Sequence, residues 1–209
     1  MNWSFFDRRV CLTTLPEEWA KAEREFARVD LTVDKFQSLP IDNDKILGPH
    51  QSFSGSVRQI LIEFLESDNE RLLHLEDDCV FQPNLWHLPY ALNQLPADWD
   101  ILYLGANLVL WEHAQRFEPE RCSGYLYRVR SAWTTHAIGF NKKVIPYILE
   151  HQPDLSERMI DNWISDQLPH LKAYCVAPMI AYQRPRHSSI WNRFNDYTPI
   201  FEASDARLR

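Results

Sequence analysis

The sequence of 209 residues predicts an α/β fold with a central mixed, mainly parallel sheet flanked by helices. Short apolar, strand-like segments alternate along the chain with segments whose apolar residues recur at helical spacing. Two later strands are joined too closely for a helical crossover, which makes the sheet mixed rather than wholly parallel. The hydrophobic content of 45% is enough to bury one sizeable core. We therefore expect a single domain over residues 1–201 and a C-terminal tail of doubtful order over residues 202–209.

Elements of the first half follow from the spacing of apolar residues. A strand is predicted at Arg9–Leu15, and an amphipathic helix follows it, with Thr14 and Glu17 as a capping box. A second helix has its apolar stripe at Val57–Leu65. It leads directly into a strand at Arg71–Phe81, which we expect to be largely buried because apolar residues flank its acidic centre.

The second half is predicted to contain three helices and four strands, followed from Gln183 by a polar segment with little periodicity. Pro89 interrupts the first of these helices, because proline lacks the backbone donor that a helix interior needs. The elements are, in chain order, helix Pro83–Leu95, strands Ile101–Leu104, Ser123–Val129 and Ala132–Phe140, helices Lys142–His151 and Glu157–Leu168, and strand Ala173–Ala177.

Composition disfavours several classes of protein. The formal net charge of −7 argues against sequence-independent binding of nucleic acid, which needs a positive field around the phosphates. No apolar run approaches the ~20 residues that cross a bilayer, so we expect a soluble, cytoplasmic protein, with peripheral membrane contact left open. The wide spacing of the cysteines favours buried free thiols over a disulfide framework or a zinc site, and these residues are Cys11, Cys79, Cys122 and Cys175.

Three consecutive carboxylates, Glu76, Asp77 and Asp78, interrupt the apolar strand at Arg71–Phe81. Buried carboxylates are costly unless something neutralises them, and a divalent cation such as Mn²⁺ or Mg²⁺ is the simplest partner. Because side chains alternate along a strand, Asp77 and Asp78 are expected on opposite faces, one holding the metal and the other a ribose hydroxyl or an amide. The alternative is an acidic turn at a strand end, satisfied by water and backbone amides.

Several segments occur in an order that resembles one enzyme family. They are LLHLEDDCVF, WDILYLGAN, THAIGFNKKVIPYIL, MIDNWISDQL and CVAPMIAYQRPRHSSI. This set is similar to the family-25 glycosyltransferases, which include lipooligosaccharide galactosyltransferases and the domains that glycosylate collagen. The segment SFSGSVRQIL occupies the place of a family motif but lacks its Cys and His, and the opening segment lacks the family's Asn-Leu-Asp-Arg signature.

The resemblance implies a GT-A fold, a nucleotide-sugar-binding α/β sandwich in which the acidic motif holds a divalent metal on the donor diphosphate. It also implies transfer of a hexose, galactose from UDP-galactose being favoured, with inversion. We expect a glycan or lipid-linked saccharide as the acceptor. On this reading Asp78 holds Mn²⁺ or Mg²⁺, and Glu76 and Asp77 contact the donor. Gln183 and Ser189 are carried over as donor-binding residues from the family pattern alone.

An inverting transfer also needs a base for the acceptor hydroxyl. Helical spacing places Asp161 at the margin of an apolar stripe, where it can face a cleft, and places Asp166 on the outside, so Asp161 is the predicted general base. Arg186 offers a bidentate guanidinium for phosphate, although it can equally be a surface charge. His187 is predicted as a metal ligand or a diphosphate contact, with an exposed loop histidine as the alternative.

Two other functions remain open at this point. A metal-dependent nucleotide hydrolase or nucleotidyltransferase would use the same acidic strand end to activate another nucleophile. A noncatalytic sugar-binding or interaction domain would keep the fold without the activity.

Overall fold

The computed structural model describes residues 3–40, 48–109, 117–152, 158–188 and 192–209. The strands are β1 (Arg8–Thr13), β2 (Asp34–Gln37), β3 (Arg71–Glu76), β4 (Cys79–Phe81), β5 (Ile101–Tyr103), β6 (Glu120–Arg121), β7 (Leu126–Arg128), β8 (Ala137–Asn141), β9 (Ala173–Val176), β10 (Ala181–Gln183), β11 (Arg186–Ser188) and β12 (Arg193–Asn195). The α-helices are α1 (Pro16–Arg28), α2 (Gly48–Glu66), α3 (Leu88–Gln94), α4 (Ile145–His151), α5 (Ile160–Gln167) and α6 (Thr198–Ala206).

Eight strands form one central sheet in the order β2-β1-β3-β8-β5-β9-β7-β6. Strands β8 and β7 run opposite to the other six, since each pairs antiparallel with its neighbours. The pairs β1–β2, β1–β3 and β5–β9 are parallel. The predicted α/β class, with a mixed, mainly parallel sheet flanked by helices, is confirmed.

Each face of the sheet is covered by its own apolar cluster. On one face, residues of α2, α4, α5 and α6 pack against the sheet, among them Val57, Ile148 and Phe201. On the other face, α1 and α3 supply Phe26 and Leu92. Burying both faces explains why the central strands read as continuous apolar runs in the sequence. No described helix combines the length and the apolar content that crossing a membrane requires.

The acidic triplet divides the predicted strand Arg71–Phe81 in two. Strand β3 ends at Glu76, Asp77 and Asp78 form a turn, and β4 begins at Cys79. Strand β4 leaves the central sheet and pairs antiparallel with β10. The chain therefore carries its carboxylates in a turn at the carboxyl end of β3, rather than inside a continuous strand.

The C-terminal segment differs from the tail of doubtful order that the sequence suggested for 202–209. Residues in this range continue α6, and Leu208 is buried. Asp205 accepts the N–H of Met179 at 2.7 Å, and Ser204 accepts the N–H of Leu108 at 2.8 Å. The apolar periodicity of the sequence does not reveal this helix, because it buries only a few residues and its polar Ser204 and Asp205 face inward as hydrogen-bond acceptors.

Candidate active site

The strand order creates a crevice at the carboxyl end of β1. The chain leaves β1 to form β2 on one side and later returns to form β3 on the other, and ligands bind at such switch points in open α/β sheets. A cavity of about 790 Å³ opens at this edge of the sheet. That volume lies within the usual range of small-molecule sites. Its walls include Glu76, Asp78, Asp161, Gln183, Arg184, Arg186 and Arg193, with Phe53, Trp133, Phe194, Tyr197 and Phe201 as the aromatic members.

Asp77 fixes the acidic turn to the end of β1. Its Oδ2 accepts the hydroxyl of Thr13 at 2.7 Å and the backbone N–H of Thr14 at 3.1 Å, while its Oδ1 accepts Nη1 of Arg186. Its backbone N–H also donates to Leu12 O at 3.1 Å. Asp77 is only 2% exposed and does not line the cavity. The structure therefore gives it a positioning role, and the predicted donor contact through this residue is not supported.

The predicted capping box at the start of α1 is also corrected here. Leu15, not Thr14, occupies the N-cap position of α1, and its apolar side chain makes no capping hydrogen bond. Thr14 instead turns its backbone N–H towards Asp77. The segment between β1 and α1 is thus held by the acidic turn.

Asp78 faces the cavity beside Arg186. Its Oδ2 lies 3.1 Å from Nε of Arg186 and accepts Nε2 of Gln183 at 3.3 Å. Its Oδ1 is buried and has no hydrogen-bond partner among the described residues. The prediction that Asp77 and Asp78 point to opposite faces is wrong, because the two residues form a turn and both meet the same guanidinium.

Glu76 completes the acidic side of the cavity. Its Oε1 accepts the hydroxyl of Thr135 at 2.8 Å. Burial, together with the neighbouring Asp78 carboxylate, raises the pKa of Glu76 to about 8. Burial likewise raises the pKa of Asp78, although the adjacent Arg186 opposes that rise. Since burial and the neighbouring carboxylates disfavour the ionised forms of Glu76 and Asp78, a further cation beside them would stabilise those ionised forms.

The carboxylates are compatible with a divalent cation that shares its ligands with a bound phosphate. Among the described residues, no group of three or more His, Cys, Asp or Glu side chains is placed to hold a metal. Glu76 and Asp78 nevertheless line the cavity with carboxyl groups, whose oxygen atoms are hard ligands, and Oδ1 of Asp78 has no hydrogen-bond partner among the described residues. Mg²⁺ sites in nucleotide enzymes commonly use one or two carboxylates together with substrate phosphates. The unsatisfied Asp78 oxygen therefore fits a shared site and not a cage made by the protein alone.

His187 is not among the described residues that line the cavity. It lies on β11 between Arg186 and Ser188, which line the cavity, whereas His187 is exposed and its ring lies 6.2 Å from the Phe194 ring. Alternation along the strand turns its side chain away from the carboxylates, so the predicted ligand role is corrected. Ser189, the other predicted residue in this stretch, lies outside the described residues.

Asp161 lies in the first turn of α5 and lines the cavity, as the helical spacing predicted. It is half-buried, and burial raises its pKa. The start of α5 is held by Ser54, whose hydroxyl oxygen accepts the N–H of Ile160 at 3.1 Å from the distant helix α2. Asp166 is exposed and forms an ion pair with Arg158, in keeping with the surface position expected for it.

Sequence reasoning missed several other residues of the cavity wall. Trp133, Thr134 and Thr135 come from the segment before β8, and Tyr197 precedes α6. Thr134 has a φ of 77°, an unusual backbone conformation for a β-branched residue and one that often marks a functional site. Asn107, whose position just after a strand favours a place in a cleft, also lines the cavity. The other residues carry no comparable sequence signal.

The fold and the cavity define an α/β protein with a mixed acidic and basic site at the carboxyl edge of its sheet. No family model and no curated protein matches the sequence. Among solved structures, the chain is similar to A197 from STIV, with 12% identity, a TM-score of 0.49, and coverage of 90% of this chain and 95% of that one.

Two further solved structures are transferases by name. A glycosyltransferase involved in the glycosylation of the major capsid of PBCV-1 is 11% identical, with a TM-score of 0.46 and coverage of 80% and 79% of the two chains. A mannose-1-phosphate geranyltransferase from Thermus thermophilus is 12% identical, with a TM-score of 0.46 and coverage of 83% and 74%. At this level of similarity, the function has to be inferred from the site itself.

Proposed function

We propose that the protein is a metal-dependent glycosyltransferase that moves a hexose, galactose being favoured, from a UDP-sugar to a hydroxyl group of a glycan or lipid-linked saccharide. One observation carries the proposal. Asp78, whose buried Oδ1 has no hydrogen-bond partner among the described residues, and Asp161 line the same cavity, at the switch point of the sheet. One carboxylate suits a cation-bound donor, and the other suits an acceptor hydroxyl.

The donor end of the site would be the acidic turn. Asp78, together with Glu76, would hold Mn²⁺ or Mg²⁺ against the donor diphosphate. When bound, the cation neutralises charge on the diphosphate and acts as a Lewis acid on the departing nucleotide. Asp77 and Arg186 keep the turn in place, and Gln183 orients the Asp78 carboxylate through its Nε2.

The acceptor end would be the start of α5. Asp161 takes the proton of the acceptor hydroxyl while that oxygen forms a bond to the anomeric carbon, and UDP leaves with the electron pair of the broken bond. A raised pKa makes this carboxylate a better proton acceptor than an ordinary surface aspartate. Attack from the face opposite the departing UDP gives inversion at the anomeric carbon.

Aromatic side chains give the cavity surfaces on which rings can stack. Trp133, Tyr197 and Phe53 line its walls, and so does Phe194, which has 62% of its surface exposed. Faces of tryptophan and tyrosine pack well against the apolar faces of sugars and bases. The cavity thus combines apolar faces with carboxylates and guanidinium groups, as a nucleotide-sugar site requires.

Calorimetric binding of UDP and UDP-galactose, with and without Mn²⁺, tests the donor assignment. The native chain should bind both ligands more tightly with Mn²⁺, and Asp78→Asn should lose that gain. Asp161→Asn is the matched control, because it lies in the same cavity but on the acceptor side and should keep donor binding. Absence of binding to the native chain under every condition would refute the proposal and favour a noncatalytic domain. Phosphate release without an acceptor would instead indicate a nucleotide hydrolase.

A further inference from the structure

Three arginines line the cavity among the described residues, namely Arg184, Arg186 and Arg193. An anionic ligand in this cavity would need positive charge that the protein has not already neutralised. The surroundings of each guanidinium therefore show which of the three is available.

Arg184 and Arg186 are both engaged with carboxylates of the protein. Nη2 of Arg184 lies 2.5 Å from Oε2 of Glu18. Arg186 bridges Asp77 and Asp78, and only 21% of its side chain is exposed. Both guanidinium groups thus serve mainly to hold the acidic turn and its surroundings together.

Arg193 is in a different situation. Its Nε donates to the side-chain oxygen of Asn195 at 3.0 Å, and no carboxylate of the described residues forms an ion pair with it. The adjacent Asp196 also lines the cavity, but its Oδ1 accepts the N–H of Thr198 at 2.9 Å. The positive charge of Arg193 is therefore not balanced by an ion pair with a described carboxylate, and its Nη groups can bind a ligand.

The hairpin β11–β12 places this charge next to the acidic turn. Arg193 pairs with Ser188 and Asn195 pairs with Arg186, so all four side chains lie on one face of the hairpin. All four line the cavity. Arg186 contacts Asp78, and Arg193 belongs to the next residue pair on the same face of the hairpin.

We infer that Arg193 binds the diphosphate of the nucleotide donor and, after transfer, the phosphate of the departing UDP. This inference rests on the proposed function and adds a residue to it. A guanidinium can donate two parallel hydrogen bonds to phosphate oxygens, a geometry that a lysine ammonium does not reproduce. Arg186, which the sequence put forward for this contact, is instead committed to the protein's own carboxylates.

Binding of uridine, UMP and UDP to the native chain, Arg193→Gln and Arg193→Lys tests the inference. Arg193→Gln should weaken UDP binding by on the order of tenfold or more, leave uridine binding unchanged, and affect UMP to an intermediate degree. Arg193→Lys should recover part of the loss. Arg130→Gln is the matched control, since Arg130 pairs with Glu120 on the exposed surface and should bind UDP like the native chain.

Equal UDP affinity for Arg193→Gln and the native chain would overturn the inference while leaving the proposed function intact. A parallel loss of uridine and UDP binding would also overturn it, because it would indicate general damage to the cavity. If the native chain binds no UDP, the proposed function fails at its first step and the inference fails with it.

Discussion

Replacing Asp77 by asparagine removes the charge that ties the acidic turn to both β1 and Arg186. The native carboxylate accepts two hydrogen bonds on Oδ2 and one on Oδ1, all from donors. An asparagine amide must turn its NH₂ group either towards Arg186 or towards Thr13 and Thr14. The variant therefore loses at least one charge-assisted hydrogen bond and places its NH₂ group against another hydrogen-bond donor. Breaking a buried ion pair costs about 3–5 kcal/mol. Because Arg186 keeps its ion pair with Asp78 and 21% of its side chain is exposed, we expect the lower end, about 3 kcal/mol.

Urea unfolding followed by tryptophan fluorescence measures this change, and the eight tryptophans supply the signal. A loss of about 3 kcal/mol moves the midpoint down by on the order of 1 M or more. Asp166→Asn is the matched control, because it breaks an exposed pair with Arg158 and should cost no more than about 1 kcal/mol. If the Asp77 variant is no less stable than this control, Asp77 does not hold the turn as described.

Three further predictions concern the site and its support. Glu76 has a pKa raised to about 8, so its folded form binds more protons than the unfolded chain above pH 4.5, and stability should fall as pH rises towards 8. Thermal melts at pH 5 and pH 9, in the presence of a chelator, should show that the melting temperature of Glu76→Gln rises relative to that of the native chain at the higher pH. The same difference in melting temperature at both pH values would contradict the raised pKa of Glu76. Asp161→Asn should lower transfer at least about 100-fold while UDP binding is kept, and retained turnover would exclude Asp161 as the base. Gly105→Ala should cost about 3 kcal/mol or more, since its Cβ would lie 1.8 Å from a backbone oxygen, whereas Gly124→Ala has open space and should be neutral within about 0.5 kcal/mol in the same urea assay.

The parts of the fold that were predictable are those with strong periodicity. Strands β1, β3, β5 and β9 and helices α1, α2 and α5 follow from apolar spacing, because each buries a wide face against the sheet. Short edge elements escaped prediction. Strand β2, for example, is exposed or half-buried along its whole length, so it has no apolar pattern to detect.

The candidate site was predictable only where a sequence anomaly marked it. Carboxylates inside an apolar run pointed to Glu76 and Asp78, and helical phase pointed to Asp161. The neutralising partner was harder to foresee. The sequence suggested a metal for the acidic turn but not Arg186, which pairs with it in the structure from 109 residues further along the chain. No local pattern reports a contact at that separation, because it depends on how β10 and β11 return across the sheet edge.

That long return has a consequence for synthesis of the chain on the ribosome. Asp77 and Arg186 are separated by 109 residues, which at about 5–20 residues per second amounts to roughly 5–20 s of translation. During this interval, the acidic turn exists without its basic partner, although β1 and β3 are already available to pair. The nascent sheet can therefore assemble early, whereas a closed and charge-balanced cavity has to wait for the C-terminal hairpin. Translation pauses between residue 78 and residue 186 would prolong the exposed acidic state.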